Sequence, residues 1–226
     1  KDQEKKKINE VKIFSVPFNF GEITENLTIN TNTPSKPSKE QIIKQAFNFH
    51  SQGNIPEAAK LYQYFINQGF QDHRVFTNYG VILKNLGKLK EAELYIRNAI
   101  KLKPNFADAH SNLGTILIDL GKLKEAELYT RKAIELEPNL AEMHSNLGMI
   151  LRDLGNLQEA ELSTRKAIEI NPELAIANEI LGLILLEKGE YESSIKYFSE
   201  SAELLRGQKK QQYNHSRFTY ISRIKI

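Results

Sequence analysis

The sequence predicts an all-α chain made of repeated helix pairs, and three observations lead there. Glycines recur every 34 residues: Gly80, Gly114, Gly148 and Gly182 form one set, and Gly53, Gly87, Gly121, Gly155 and Gly189 a second. Between the two sets Ala58, Ala92, Ala126, Ala160 and then Ser194 keep the same step, and Pro104, Pro138 and Pro172 punctuate the ends. Between these marks the apolar residues fall at helical spacing, as Leu113, Ile116, Leu117 and Leu120 do in "AHSNLGTILIDLG". A message repeated at fixed spacing builds a surface, whereas a catalytic pocket needs its groups once.

Five units follow, 39–72, 73–106, 107–140, 141–174 and 175–208, each read as two helices. In the third, Gly121 ends the first helix because it tolerates the left-handed backbone of a C-terminal cap. The second helix carries Leu123, Ala126, Leu128, Ala133, Ile134 and Leu136 and stops at Pro138, which cannot donate the next backbone bond. Gly114 and Ala126 are small enough to let the two helices approach closely, so a larger side chain there should push them apart.

Two segments flank the units. Residues 1–38 lack a sustained helical period, and "ENLTINTNTPSKPSK" is rich in residues that favour turns and extended chain, so a disordered or extended leader is expected. Within residues 11–20 the alternation Phe14, Val16, Phe18, Phe20 suits either an unstructured linker or an extended strip that docks in a groove. Residues 209–226 are basic and place Tyr213, Tyr220 and Ile224 near helical spacing, as a capping helix over the last unit or the start of a further domain would.

With 40% hydrophobic and 26% charged residues the composition is that of a foldable globular chain. The count of Cys 0 removes disulfides, thiolate nucleophiles and sulfur metal sites, and no apolar run suggests a signal or a membrane span; a cytoplasmic protein is expected. Basic residues gather at the two ends while the repeats are mildly acidic, which argues against nucleic acid or a membrane as partner. No cofactor or metal is expected. The histidines form no HExxH or comparable spacing, and His110 and His144 are equivalents one repeat apart. "GVILKNLGKL" has the glycines and lysine of a phosphate loop, but its spacer is too long and helical, and no Ser or Thr follows the lysine. Glu91, Glu93, Glu125, Glu127, Glu159 and Glu161 recur in phase as a solvated outer face with modest helix pairs, not as catalytic carboxylates. The chain is therefore read as no enzyme.

The 34-residue period with Leu-Gly, Ala and Pro at these offsets resembles the tetratricopeptide repeat, whose pattern is WxxLGxxY, AxxxF and a final Pro. The likeness spans 39–208. It departs at the Trp position, held by Ile42, Phe76, His110, His144 and Asn178, and at the late aromatic position, held by Tyr62, Ile96, Thr130, Thr164 and Phe198. Ala46 replaces the glycine of the first unit.

The resemblance implies an α-α superhelix, a right-handed solenoid of antiparallel helix pairs whose first helices line a concave groove. It implies a non-catalytic scaffold or adaptor that binds an extended peptide or partner segment there, with a monomer as default. Asn78, Asn112 and Asn146 resemble the asparagine ladder in the repeat region of O-linked N-acetylglucosamine transferase, since an amide can both donate to and accept from a peptide unit. The rival reading is that these amides satisfy groups of their own chain. Arg74, Lys84, Asn85, Asp119, Arg152 and Asp153 join them as groove candidates, with Asp108, Glu142 and Glu187 making the groove more acidic toward the C-terminal units. Ile43 and Phe47 stand where a two-carboxylate clamp would need Lys and Asn, which argues against chaperone tails as ligand. The alternative function is an N-terminal substrate-docking region of a larger transferase or oxygenase.

Overall fold

The computed structural model describes residues 37–224, with side chains through Lys209. The leader, with its alternation in residues 11–20, and the side chains of Tyr213, Tyr220 and Ile224 lie outside the described residues. Within them the chain is helical throughout, with no strand. The first helices of the five units are α1 (Lys39–Ser51), α3 (His73–Asn85), α5 (Ala107–Asp119), α7 (Ala141–Asp153) and α9 (Ala175–Glu187). The second helices are α2 (Ile55–Asn67), α4 (Leu89–Leu102), α6 (Leu123–Leu136), α8 (Leu157–Ile170) and α10 (Tyr191–Ile224).

Local chemistry sets these limits. Ser38 opens α1 with a capping box: its Oγ accepts from the Gln41 amide at 3.2 Å, and Gln41 Oε1 accepts from the Ser38 amide at 2.8 Å. Gly121, at φ 71°, closes α5. Its N–H donates to the Ile118 carbonyl at 2.9 Å and that of Lys122 to Leu117 at 2.8 Å, so carbonyls left over at the helix end are satisfied.

Each first helix packs mainly on the second helix of its own unit, and each second helix then meets the first helix of the next. The helices α3, α5, α7 and α9 also pack on one another in succession, and no comparable packing joins α4, α6, α8 and α10. First helices therefore form a continuous inner layer and second helices a more widely spaced outer one, which makes the stack a solenoid with a concave first-helix face.

Close approach within a pair depends on the repeat glycine. A Cβ on Gly80 would lie 2.7 Å from Ile96 Cδ1 and 3.3 Å from the Ala92 carbonyl. At Gly114 the abutting group is Thr130 Oγ1, at 2.6 Å, so the glycine faces the late aromatic position rather than the Ala126 side chain, which is fully buried.

The end of the fifth unit differs from the sequence reading, which set residues 209–226 apart. One helix, α10, runs unbroken from Tyr191 to Ile224, while α4, α6 and α8 stop after 14 residues each. Arg206 stands where Pro104, Pro138 and Pro172 end those helices, and with its backbone N–H retained the helix continues.

The outer layer is tied by side chains instead of packing. Arg97 on α4 binds Glu93 at 2.8 Å and reaches Glu125 on α6 at 2.6 Å; one unit on, Arg131 binds Glu127 at 2.9 Å and Glu159 on α8 at 2.5 Å. Arg165 binds Glu161 at 2.7 Å and donates to the Tyr197 hydroxyl at 3.0 Å. The sequence reading saw only pairs within a helix here; the bonds that join consecutive repeats were not visible to it.

Candidate functional site

A cleft of about 420 Å³ opens on the concave face between α1, α3 and α5. Its lining includes Arg74, Asn78 and Asn112 from the sequence reading, with Asp108, and adds Phe47, His73, Thr77, Val81, Lys103 and Phe106. The Asp72 carboxylate fixes its rim by capping α3, accepting from the Arg74 amide at 2.9 Å and binding the Arg74 guanidinium at 2.9 Å. Burial pushes the Asp72 carboxyl up, but the bonds and charge of Arg74 outweigh it and hold it below its ordinary value. Arg74 then lies over the Phe47 ring, 5.3 Å from its centroid, and Phe47 meets Tyr62 edge-on at 6.0 Å.

The opposite wall is aromatic and basic as well. His73 stands edge-on to Phe106 at 4.8 Å, with the Lys103 ammonium 4.9 Å from the Phe106 centroid. Burial lowers the His73 pKa, and the charges of Lys103 and Arg74 add to that against the pull of Asp72. Two further clefts adjoin at Phe47, one of them lined by Lys39, Glu40, Ile43, Lys44, Asp72 and Arg74. The N-terminal part of the groove thus combines two phenyl rings with several cations.

Two of the asparagines bond groups of their own chain. Asn78 donates to the Tyr62 hydroxyl at 3.2 Å, and Asn112 donates to the Asp108 carbonyl of its own helix at 2.7 Å. Both amides thus serve their own chain, yet each side chain is only half-buried and keeps an acceptor oxygen and a second N–H. Asn146 is half-buried one unit further on. Arg152 turns to its neighbour Asp153 at 2.6 Å and approaches Glu187 on α9 at 3.6 Å. Asn85 and Asp119 are exposed and Lys84 is half-buried at the C-terminal ends of α3 and α5, away from the cleft.

His73, Lys103 and Phe106 were missed as groove residues, and Phe47 was placed only as a departure from the two-carboxylate clamp. Phe47 carried a signal, because Val81 stands at the same offset one unit later; Phe106 lies in the connection between units, where helical periodicity says nothing about direction.

His110 and His144 have a structural task, Nε2 of each donating to the carbonyl of the preceding proline, Pro104 at 2.7 Å and Pro138 at 2.9 Å. Among the described residues no group of three or more His, Cys, Asp or Glu is placed to hold a metal ion, and no helix is long and apolar enough to cross a membrane.

Comparison with known proteins agrees with this architecture. Tetratricopeptide repeat models match residues 73–106, 107–140, 141–174 and 176–204. No curated protein matches the chain. Among solved structures, one described as the crystal structure of MamA superposes with a TM-score of 0.64 at 21% identity, covering 73% of this chain and 96% of that one. MamA from Desulfovibrio magneticus RS-1, residues 41 to end, gives 0.67 at 21% over 75% and 96%. A MamA structure designated AMB-1 gives 0.64 at 18% over 74% and 98%. At such identities the likeness is one of fold.

Proposed function

The chain belongs to the tetratricopeptide repeat family, and from that premise we propose that this protein-interaction scaffold binds an extended peptide segment of a partner protein along its concave face, without catalysis. The observation that carries the reading is the cleft between α1, α3 and α5, which brings two amides, a guanidinium and two phenyl rings to one surface. The remaining bonding capacity of Asn78 and Asn112 suits a peptide backbone whatever its side chains are. Phe47 and Phe106 offer apolar contact, and Arg74 and Lys103 favour an acidic or hydroxylated side chain between them. Asn146, Arg152 and Asp153 would meet later residues of the same peptide, with Lys84, Asn85 and Asp119 at the groove's edge. A chain with no cysteine suits a reducing cytoplasm.

Peptides selected from a randomised library on the full chain test the reading. Two lost bonds predict that the Asn78→Ala/Asn112→Ala double variant binds the selected peptides about ten- to thirtyfold more weakly by fluorescence anisotropy. Far-UV circular dichroism checks that the fold survives loss of the Tyr62 contact. Unchanged affinity, or cross-links from bound peptide to the second helices, would refute the concave site.

A further inference from the structure

A separate cleft, of about 470 Å³, lies at the other end of the described solenoid, where the C-terminal end of α8, the start of α9 and the middle of α10 meet. It shares no residue with the concave cleft, so its fate is independent of the peptide-groove reading. Its origin follows from the repeat. His110 and His144 each send an N–H to the carbonyl of the preceding proline. Asn178 holds the same position in the fifth unit, beside Pro172, and its shorter side chain makes no such bond. Asn178 is only 2% exposed, and its Oδ1 has no hydrogen-bond partner. Both Asn178 and Pro172 line the cleft. The fifth unit therefore presents acceptors where its predecessors carry a donor of their own.

The surroundings have one sign. Glu173, Glu200 and Glu203 line the same cleft; Glu200 lies 3.8 Å from Lys196, and neither Glu173 nor Glu203 forms an ion pair with a described residue. The helix α8 also points its C-terminal, partially negative end this way. Leu204 and Ile168 on its walls can take an aliphatic stem, and Gln208, also in the lining, donates its Nε2–H to the Glu173 carbonyl at 3.2 Å.

We propose that this cleft binds the side-chain ammonium or guanidinium of a basic residue on a partner peptide, its N–H groups donating to Asn178 Oδ1 and the Pro172 carbonyl and its charge facing Glu173, Glu200 and Glu203. The missing histidine donor is thus supplied by the ligand. A histidine at the site would restore the internal bond and displace it.

The test uses the full chain, isotope-labelled, titrated with four probes and followed by NMR at the Asn178 side-chain amide and the Glu203 backbone amide. The probes are a blocked Gly-Lys-Gly tripeptide, its Arg counterpart, its norleucine counterpart, which keeps the stem and lacks the charge, and spermidine. Saturable shifts with the Lys or Arg peptide and none with norleucine support the site. Asn178→His should fold at least as well as the parent and bind the cationic peptide about tenfold more weakly or worse; Asn178→Asp, which adds charge to the floor, should bind it several-fold more tightly. Glu203→Gln should weaken binding several-fold. The assignment is overturned by equal shifts with norleucine, by unchanged binding in Asn178→His, or by no saturable shift with any cation, which would leave the cleft to water alone. Tighter binding of spermidine than of either peptide would overturn the peptide source in favour of a free polyamine.

Discussion

The unit formed by α3 and α4 closes its helix pair with Phe76 against Tyr95 and with Ile96 over Gly80; the unit formed by α7 and α8 puts His144 and Ser163, and Thr164 over Gly148, at the same positions. The first is part of an apolar cluster that runs from Ile42 to Ala126 and takes in Ile150 of α7. The second belongs to a smaller one of Leu147, Leu151, Ala160, Ile180 and Ile184. Where the ring or branched apolar chain is missing, hydrogen bonds stand in: Ser163 donates to the His144 carbonyl at 2.9 Å and Thr164 to Ala160 at 2.8 Å. One backbone plan can thus be filled by burial or by local bonds. Burial contributes more per side chain, and polar filling leaves acceptors over when geometry fails, as at Thr130 Oγ1 and Asn178 Oδ1.

The largest expected contrast is between deletions in the two kinds of filling. Phe65, 1% exposed, should cost about 3–5 kcal/mol when changed to Ala, against about 1 kcal/mol for Ser163→Ala, both measured by urea unfolding. Similar losses would mean that the polar filling is worth as much as the aromatic one.

Next comes the helix approach itself. A Cβ at Gly148 would strike Thr164 Oγ1 and sit 3.1 Å from the Ala160 carbonyl, so Gly148→Ala should destabilise by about 1–3 kcal/mol. Adding Thr164→Ala should recover part of that, and a double-mutant cycle without coupling would show that the glycine is needed for the backbone contact alone.

A smaller effect separates two threonines one repeat apart. Thr164 has its bond to Ala160, while Thr130 Oγ1 is buried without one. Thr130→Val should therefore be neutral or stabilising by up to about 1 kcal/mol, and Thr164→Val destabilising by a similar amount, in thermal melts. The same sign at both sites would contradict the contrast.

The smallest effects belong to the outer layer, where the two halves are alike. Burial raises the carboxyl pKa of Glu93 and Glu161, but Lys122 and Arg97 at the first, and Lys188 and Arg165 at the second, more than reverse this and hold both below the ordinary glutamate value of 4.5. Their folded pKa being lowered, their stabilisation is present above pH 4.5 and is lost as pH falls through the folded value. Glu93→Gln and Glu161→Gln should each flatten that acid limb, by about 1 kcal/mol or less, in unfolding measured across pH.

The family and the helix pairs were legible because they depend on local rules: glycine at a left-handed cap, apolar residues at helical spacing, proline where a helix must stop. The groove asparagines were legible as a phase in the repeat. Their partners were not: Asn78 bonds Tyr62, 16 residues away on another helix, and the sequence has no register for that distance. Phe106 and Lys103 escaped because they sit in a connection, and the bond from Arg97 to Glu125 escaped because an i, i+4 partner, Glu93, already explained the arginine.

By itself the sequence determined that this chain takes one structural step repeatedly and where each step turns, since capping, periodicity and helix termination act over a few residues. Tertiary structure alone decided which equivalent positions are filled and which are left open. Asn178 and His144 occupy the same place in the repeat; only the distance from a side chain to a proline carbonyl makes one a closed bond and the other a vacant acceptor.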